Sequence, residues 1–333
     1  MWLTISRAFS HSSHACSLIK VVSVSVDGQC GRVALPLVHG ELMTKVLARL
    51  QHLAGLFAAV LWISVGALAN CPGQPMDGSR VANPNRPTIS DPADITQLGV
   101  VELEYGYTRT WVGATRDHDL SGLLKFAVLC DLEFRWTPDN FHHAVAGGIT
   151  QKGAGDNWIG AQYRFHHQTS YTPTIAFRYE AKVPTASASK GFGSGAPDHS
   201  FTFMASKDIG KYHFDYNLGY LLAGHPTGHS YDSNSNLALA FSRPIRGPLG
   251  ITGEGYGETK LDQAPAYASV LLAFTYGVTP QLVVDSGYDV GVTNGSPGNH
   301  LFVGFTYAVI DVYSHFRVKQ TASNKPDPGR GRP

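Results

Sequence analysis

Apolar and polar side chains alternate along most of the chain after residue 97. The clearest example is KYHFDYNLGYLL at 211–222, where every second residue from Tyr212 to Leu222 is aromatic or aliphatic and the residues between are mostly polar or glycine. Successive side chains of a β-strand point to opposite faces, so this segment would have one apolar and one polar wall, whereas a helix would mix the two. The pattern therefore predicts a β-strand.

The same alternation predicts strands in many other segments. It is clear at 101–109, 172–183, 281–290 and 300–307, and weaker at 120–127, 130–137, 142–151, 157–166, 199–207, 236–243, 249–258 and 267–277. Closed barrels of the outer membrane usually have an even number of strands, so we expect about twelve, within a range of about 10–14. Turn signals at 137–140, 207–210, 246–248 and 278–280, and longer polar stretches at 110–119, 184–199, 224–235, 259–265 and 292–299, separate the strands.

These strands predict an all-β fold, an antiparallel transmembrane β-barrel of the outer-membrane type. A soluble β-sandwich would also alternate. It is disfavoured because the alternation continues through nearly every segment, without uniformly apolar strands. Aromatic residues also cluster near strand ends, as the girdle of a membrane barrel requires. They are Tyr107, Trp111, Trp136, Trp158, Tyr276 and Tyr307.

Composition agrees with a barrel and excludes one other class of membrane protein. Charged residues make up 15% of the 333 residues, below the roughly 25% of ordinary soluble domains. The mean hydropathy of −0.09 excludes a polytopic helical membrane protein. The net charge of +1 gives no reason to expect nucleic acid as a partner.

Residues 43–69 have the three parts of a secretory signal peptide. Lys45 and Arg49 supply the positive region, residues 53–68 supply the apolar core, and Ala67-Leu68-Ala69 supplies a small-x-small cleavage site. A single transmembrane anchor and a lipoprotein acylated at Cys71 are the alternatives. Because a signal peptide begins a chain, residues 1–42 are interpreted as a non-native N-terminal extension.

Three further regions complete the predicted organisation. Residues 70–97 contain five prolines and are expected to be disordered or to form a plug. Residues 98–310 are expected to form the barrel, and residues 311–333 a polar tail. None of the four cysteines belongs to a C-x-x-C pair, and Cys130 is predicted to be a free thiol.

Charged side chains within the predicted strands are placed in the lumen, because Arg or Lys on the lipid face costs roughly 2–4 kcal/mol at the bilayer midplane. Charges of both signs can pair across strands and fill the interior, or they can line a pore that selects solutes. Both roles stay open from the sequence. The lumen-lining candidates are Glu102, Glu104, Glu133, Arg135, Arg178, Glu180, Lys182, Asp215, Glu254, Glu258, Asp285 and Asp289.

No catalytic residue, metal site or cofactor is predicted, and the chain is not expected to be an enzyme. The pairs His142-His143 and His166-His167 point to opposite faces of their strands, so neither pair can bind one metal by itself. No G-x-S-x-G elbow is present. The glycine-rich segment at 190–195 lacks the Gly-Lys-Ser/Thr of a phosphate loop.

Four segments resemble a bacterial family of outer-membrane barrels named for the meta-pathway of phenol degradation. They are PTISDPADITQLGVVELEYGYTR (87–109), DNWIGAQYRF (156–165), ASKDIGKYHFDYNLGY (205–220) and 281–307, which is similar to the closing hairpin of the family. The resemblance spans residues 87–310 and implies transport of small, often aromatic or hydrophobic, compounds across the outer membrane. It supplies no binding residues. The extension at 1–42 and the polar tail depart from the family pattern.

The sequence therefore predicts an outer-membrane channel, exported through residues 43–69, for passive passage of small solutes that include aromatic or hydrophobic ones. The alternatives are a non-conducting structural or adhesion barrel and an outer-membrane lipid hydrolase. The expected partners are outer-membrane lipids, small-molecule solutes and the barrel-assembly machinery.

Overall fold

A computed structural model describes residues 21–26, 29–34, 71, 79–228 and 230–314. The chain divides into two units, Met1–Val65 and Gly66–Pro333. In the first, β1 (Val21–Val26) and β2 (Gln29–Ala34) form an antiparallel hairpin. The predicted signal peptide and most of the predicted polar tail lie outside the described residues.

The second unit contains fourteen strand segments in its described part. They are β3 (Val100–Val112), β4 (Thr115–Leu129), β5 (Leu132–Thr137), β6 (Asp139–Ala146), β7 (Ile149–Gly153), β8 (Asn157–His166), β9 (Thr174–Val183), β10 (Asp198–Ile209), β11 (Tyr212–Gly224), β12 (Tyr231–Arg246), β13 (Leu249–Glu258), β14 (Tyr267–Thr279), β15 (Leu282–Gly291) and β16 (Asn299–Asp311). One short 3-10 turn, Ala188–Lys190, lies between β9 and β10.

The strands close into a twelve-stranded antiparallel barrel. From β8 onward each strand pairs with the next along the chain, and β3 pairs with both β4 and β16, which closes the sheet. β5 and β6 both pair with β4 and act as one strand of the wall. β7 and β8 pair with β6 and β5 and act as another. The predicted barrel and its strand number are confirmed.

Three local predictions are wrong near the start of the barrel. The segment 137–140 is not a turn, because Pro138 only interrupts one continuous strand of the wall, where it cannot donate to the ladder. The stretch 110–119, predicted as a loop, and the stretch 142–151, predicted as one strand, are each a hairpin with a tight turn. Their two-residue turns contain Gly113, Gly147 and Gly148, all with positive φ, a conformation that glycine adopts without strain. The other three predicted turns are confirmed.

The two ends of the barrel differ. One end, called here the short-turn end, carries the connections 130–131, 167–173, 210–211, 247–248 and 280–281. The other, called the long-loop end, carries two tight turns and the loops 184–197, 225–230, 259–266 and 292–298. The segment before β3 and the end of β16 both lie at the short-turn end.

The two faces of the wall have opposite polarity. Outward side chains are apolar and exposed, as at Leu218 (46%), Leu239 (56%) and Leu272 (52%). Inward positions carry polar or charged groups that are largely shielded from solvent. This is the arrangement of a barrel whose outer surface meets hydrocarbon. One girdle prediction is wrong: Trp158 lies opposite the inward Lys182 in the register and therefore faces the interior. In the described part of the chain, no helix is long and apolar enough to cross a membrane.

Candidate functional site

Residues 79–97, called here the interior segment, run through the barrel. At the short-turn end, Arg80 donates to the carbonyls of Ala308 and Val309, and the Ala82 amide donates to the Pro280 carbonyl at 2.9 Å. Deeper inside, Ser90 and Ala93 are completely buried. The segment then returns to the short-turn end, where β3 begins. It contacts inward side chains on strands all around the wall, and therefore occupies the lumen.

Inward carboxylates bind the interior segment through its backbone amides. Glu254 on β13 accepts from the Ile89 and Ser90 amides at 2.7 and 2.6 Å. Glu104 on β3 accepts from two further amides, those of Asn85 and Arg86. Glu102 and Glu133 accept one amide each, from Asn83 and Thr96. The proline-rich segment forms no strand, so its buried backbone amides have no partners in a sheet. The wall carboxylates accept the hydrogen bonds of these amides instead.

Asp91 is the centre of an ion-pair network at the tip of the segment. Its carboxylate pairs with Arg178, and with Arg135 at 3.2 Å. Arg135 also contacts Glu133 at 3.3 Å and Glu180 at 3.6 Å. The Asp91 backbone exchanges two hydrogen bonds of 2.8 Å with the Asn217 side chain on the far wall. One residue of the segment thus ties together β5, β9 and β11.

Lys125 makes a second buried network on β4. Its ammonium lies 2.6 Å from Glu102 and 2.7 Å from Glu104, and its side chain is 1% exposed. It also donates to the backbone carbonyl of Asn83 at 2.6 Å. This buried cation is paired with two carboxylates of the wall and also binds the interior segment. It therefore links the segment to the first strands of the barrel.

Arg86 lies against the seam where the barrel closes. Its guanidinium pairs with Asp285 through two contacts of 3.1 Å. Gly106 on β3 and Gly304 on β16 are opposite one another at this point. A Cβ added at either glycine would collide with the guanidinium. Because neither glycine has a side chain, the wall has a recess at this point, and the Arg86 guanidinium fills it.

Four other predicted residues line the interior outside these networks. Lys182 contacts Asp198 at 2.5 Å and Asp156 at 3.7 Å. Asp215 accepts from the Ser206 hydroxyl at 2.6 Å. Glu258 accepts from the Asn234 amide at 3.0 Å. Asp289 lies 3.0 Å from His300 Nδ1 and accepts from the Tyr256 hydroxyl. The structure thus places all twelve predicted residues on the inner face, and gathers six of them around Asp91 and Lys125.

Free space remains beside the segment. A cavity of about 440 Å³ lies between it and the β11–β15 wall, lined by Pro84, Asp94, Asp215 and Thr252 among others. A smaller one of about 130 Å³ lies against β3 and β4. Arg86 and Thr88 border both cavities. These two side chains separate the spaces on either side of the segment.

The chain before the interior segment is covalently linked to the wall. Cys71 and Cys130 form a disulfide with a Cα–Cα distance of 5.3 Å. The prediction of a free thiol at Cys130 is therefore wrong, as is lipidation at Cys71 in this oxidised form. Cys130 lies in the turn after β4, so the link holds the chain at the short-turn end.

At the long-loop end, the loop 184–197 folds inward. Ser194 accepts from the Lys182 ammonium at 2.7 Å, and the Ala186 amide donates to Asp156 at 2.9 Å. The Phe192 ring stacks on His142 of the inner wall, with centroids 5.4 Å apart. This loop narrows the lumen beyond the tip of the interior segment.

Several functional residues were missed from the sequence. Lys125 is the only charged residue of its predicted strand. The cost of placing a charge on the lipid face, which put the other charged residues in the lumen, applies to Lys125 too, so it could have been predicted to face inward. Arg86, Asp91 and Asp94 lie in a segment without periodicity, where no pattern marks which side chains meet the wall.

A family model described as "Putative MetA-pathway of phenol degradation" matches residues 85–305. Among solved structures, an outer membrane channel from Pseudomonas putida F1 is similar, with 9% identity, coverage of 69% of this chain and 98% of that chain, and a TM-score of 0.51. The NanC porin shares 12% identity, with coverage of 63% and 100% and a TM-score of 0.41. The KdgM porin, solved with oligogalacturonate, shares 10%, with coverage of 63% and 99% and a TM-score of 0.41. No curated protein matches the sequence.

Proposed function

This chain belongs to the phenol-degradation MetA-pathway family, and on that premise we propose that it is an outer-membrane channel for passive passage of small solutes. The observation that carries the proposal is an interior lined by charged and polar side chains, with cavities of about 440 and 130 Å³ on either side of Arg86 and Thr88. A barrel that only served as an anchor would not need such an interior. The interior segment acts as a plug that limits flow.

The orientation follows from the lengths of the connections. In outer-membrane barrels short turns face the periplasm and longer loops face outward. The interior segment and the Cys71–Cys130 disulfide then lie on the periplasmic side, and the inward loop 184–197 on the outer side. Export through the signal peptide at 43–69 would deliver the chain to this location.

We propose aromatic or hydrophobic compounds as the solute class. The family description names phenol degradation, and part of the inner wall is apolar. Leu271, Ala273 and Phe302 form a buried apolar cluster on the inner wall. Asp289, which lies opposite Leu271 in the register, supplies an acceptor beside this cluster. A ring with a hydroxyl group fits such a combination of apolar wall and polar acceptor.

A non-conducting barrel is the second candidate, favoured by the many hydrogen bonds that hold the interior segment. Uptake into liposomes containing the folded protein separates the two, with phenol, benzoate, glucose and a large dextran as the panel. Specific uptake of the aromatic compounds, above the rate of empty liposomes, supports an aromatic channel. Equal uptake of glucose supports a general pore. Rates equal to those of empty liposomes for every solute would defeat the channel proposal.

A further inference from the structure

A cluster of titratable side chains lies on the inner wall towards the long-loop end, apart from the interior segment. Asp117 and Asp119 project from β4, and Asp139 and His142 from β6. Asp119 and His142 are direct partners in the register, so they share the inner face. The cluster is half-buried and is formed by two adjacent strands, which hold its members in fixed positions.

The His142 imidazole is surrounded by carboxylates. Its Nδ1 lies 3.2 Å from Asp117 Oδ2. Its Nε2 lies 2.7 Å from Asp139 Oδ2 and 3.7 Å from Asp119 Oδ2. As an imidazolium the ring donates from both nitrogens, whereas in the neutral ring an Nδ1–H that donates to Asp117 leaves Nε2 with a lone pair directed at the other two carboxylates. Carboxylates offer no proton to that lone pair unless they are protonated themselves.

The charge of the cluster is unbalanced. Three carboxylates face one imidazole, so even an imidazolium leaves two negative charges without compensation. In the described part of the chain, the ion pairs of these three aspartates all go to His142. One oxygen of Asp117 and one of Asp139 are also buried without a hydrogen-bond partner. A divalent cation would supply the missing charge and occupy the free oxygen lone pairs.

The neighbouring chain closes around the cluster. Phe192 of the inward loop stacks on the imidazole, and Gly155 packs so closely on Asp139 that an added Cβ would collide with its carboxylate. Ser121 holds the other oxygen of Asp119 with a hydrogen bond of 3.2 Å. These contacts limit the rotamers of two carboxylates and the imidazole, as a preorganised ligand set requires.

We propose that Asp119, Asp139 and His142 bind a divalent transition-metal ion, for which Zn²⁺ is the best fit. Their nearest ligand atoms lie within 4.8 Å of one another. Ligand atoms in tetrahedral coordination at about 2.1 Å from zinc lie about 3.4 Å apart, so the more distant ligand atoms must approach one another by side-chain rotation. One imidazole with carboxylates is a ligand set that zinc accepts and that calcium, which takes oxygen ligands, does not favour. Three protein ligands leave a fourth position for water or a solute donor.

Asp117 is the positioning residue of this site. Its carboxylate accepts from His142 Nδ1–H, which fixes the tautomer and directs Nε2 at the metal. Loss of such an outer carboxylate typically costs about 10–100-fold in metal affinity. The site does not depend on conduction, so its test is independent of the channel proposal.

The test is Zn²⁺ titration of the tag-free, detergent-solubilised full chain by calorimetry, with Co²⁺ visible absorption as a second readout. We expect one Zn²⁺ per chain and a loss of about 10–100-fold in affinity in Asp117→Asn. The loss should be larger in His142→Gln and Asp139→Asn, because each of these removes a ligand. The matched control is His143→Gln, because His143 is the next residue on β6, faces outward and stacks on His118 at 5.7 Å. It should bind as the wild type does.

Folding of each variant is checked by the heat-dependent shift in gel mobility that folded barrels show. Equal Zn²⁺ affinity in wild type and folded His142→Gln would overturn the proposal, because the metal would then bind elsewhere. Absence of stoichiometric binding to the folded wild type would overturn it as well. The same loss in His143→Gln as in His142→Gln would also contradict the assigned ligand set.

Discussion

The guanidinium of Arg86 and the carboxylate of Asp285 form a two-point ion pair inside the barrel, with both N–O distances at 3.1 Å. The pair lies on the closing seam between β3 and β16, above the opposed glycines 106 and 304. Paired, bidentate geometry of this kind is stronger than a single charge contact. It fixes the interior segment at the point where the two cavities approach each other.

Gly106→Ala is expected to displace Arg86 and loosen the segment, because the added Cβ would collide with the guanidinium. In planar bilayers, this variant should spend a larger fraction of time in open states than the wild type does. Gly255→Ala is the matched control, since a Cβ there has no neighbour within 4 Å. The same open fraction in all three folded proteins would show that Arg86 does not restrict flow.

Lys125→Met is expected to destabilise the barrel by about 3–5 kcal/mol, because it leaves two buried carboxylates facing each other without a cation. The free energy of unfolding in urea, measured in detergent, checks this. Adding Glu102→Gln to Lys125→Met should recover part of the loss, since it removes one of the two charges. A Lys125→Met variant as stable as the wild type would mean that the buried network makes no net contribution.

Reduction of the disulfide should release the chain before the interior segment while leaving the barrel folded. Trypsin should then cut after Arg80 faster than in the oxidised protein, because Cys71 no longer holds that chain at the turn of Cys130. The double variant Cys71→Ser/Cys130→Ser should be cut quickly with or without reductant. Mass spectrometry of the oxidised protein should find a Cys71–Cys130 linked peptide, and two free thiols would refute the link.

Leu218→Arg should impair assembly because it places a charge on the lipid face, at a cost of about 2–4 kcal/mol near the midplane. Asn236→Arg, on the inner face opposite Glu258, should assemble nearly as well as the wild type. Asn217 is less suitable as the control, since its side chain is bonded to Asp91. The readout is the folded fraction in lipid vesicles. Equal folded fractions for the two variants would contradict the assigned faces.

The wall of the barrel could be predicted from the sequence because lipid and lumen impose opposite demands on successive residues. In β11, Tyr216 and Leu218 face lipid and are apolar, whereas Asp215 and Asn217 face the lumen and are polar. The polarity of the sequence therefore alternates with a period of two residues. The same reasoning placed the twelve charged candidates on the inner face. The prediction of a turn at Pro138 was wrong, because in the sequence a proline that interrupts a strand looks the same as a proline in a turn.

The contents of the barrel could not be predicted in the same way. Asp91 and Asn217 are separated by 126 residues, and nothing periodic in the proline-rich segment indicates their contact. Cys71 and Cys130 likewise form no motif, because their separation of 59 residues becomes a short distance only when the barrel has closed. His142 could not be matched with Asp119 and Asp139 before the register of β4 and β6 was known.

Single-channel recording of a chain that lacks residues 79–94 tests the central claim, that an ordered segment limits flow through a solute-conducting barrel. In this deletion variant, water in the lumen would solvate the wall carboxylates that bind the interior segment in the full chain. The account predicts discrete conductance steps that are larger and more frequent than those of the full chain under the same salt. A folded deletion variant that shows no steps, or steps identical to those of the full chain, would contradict it.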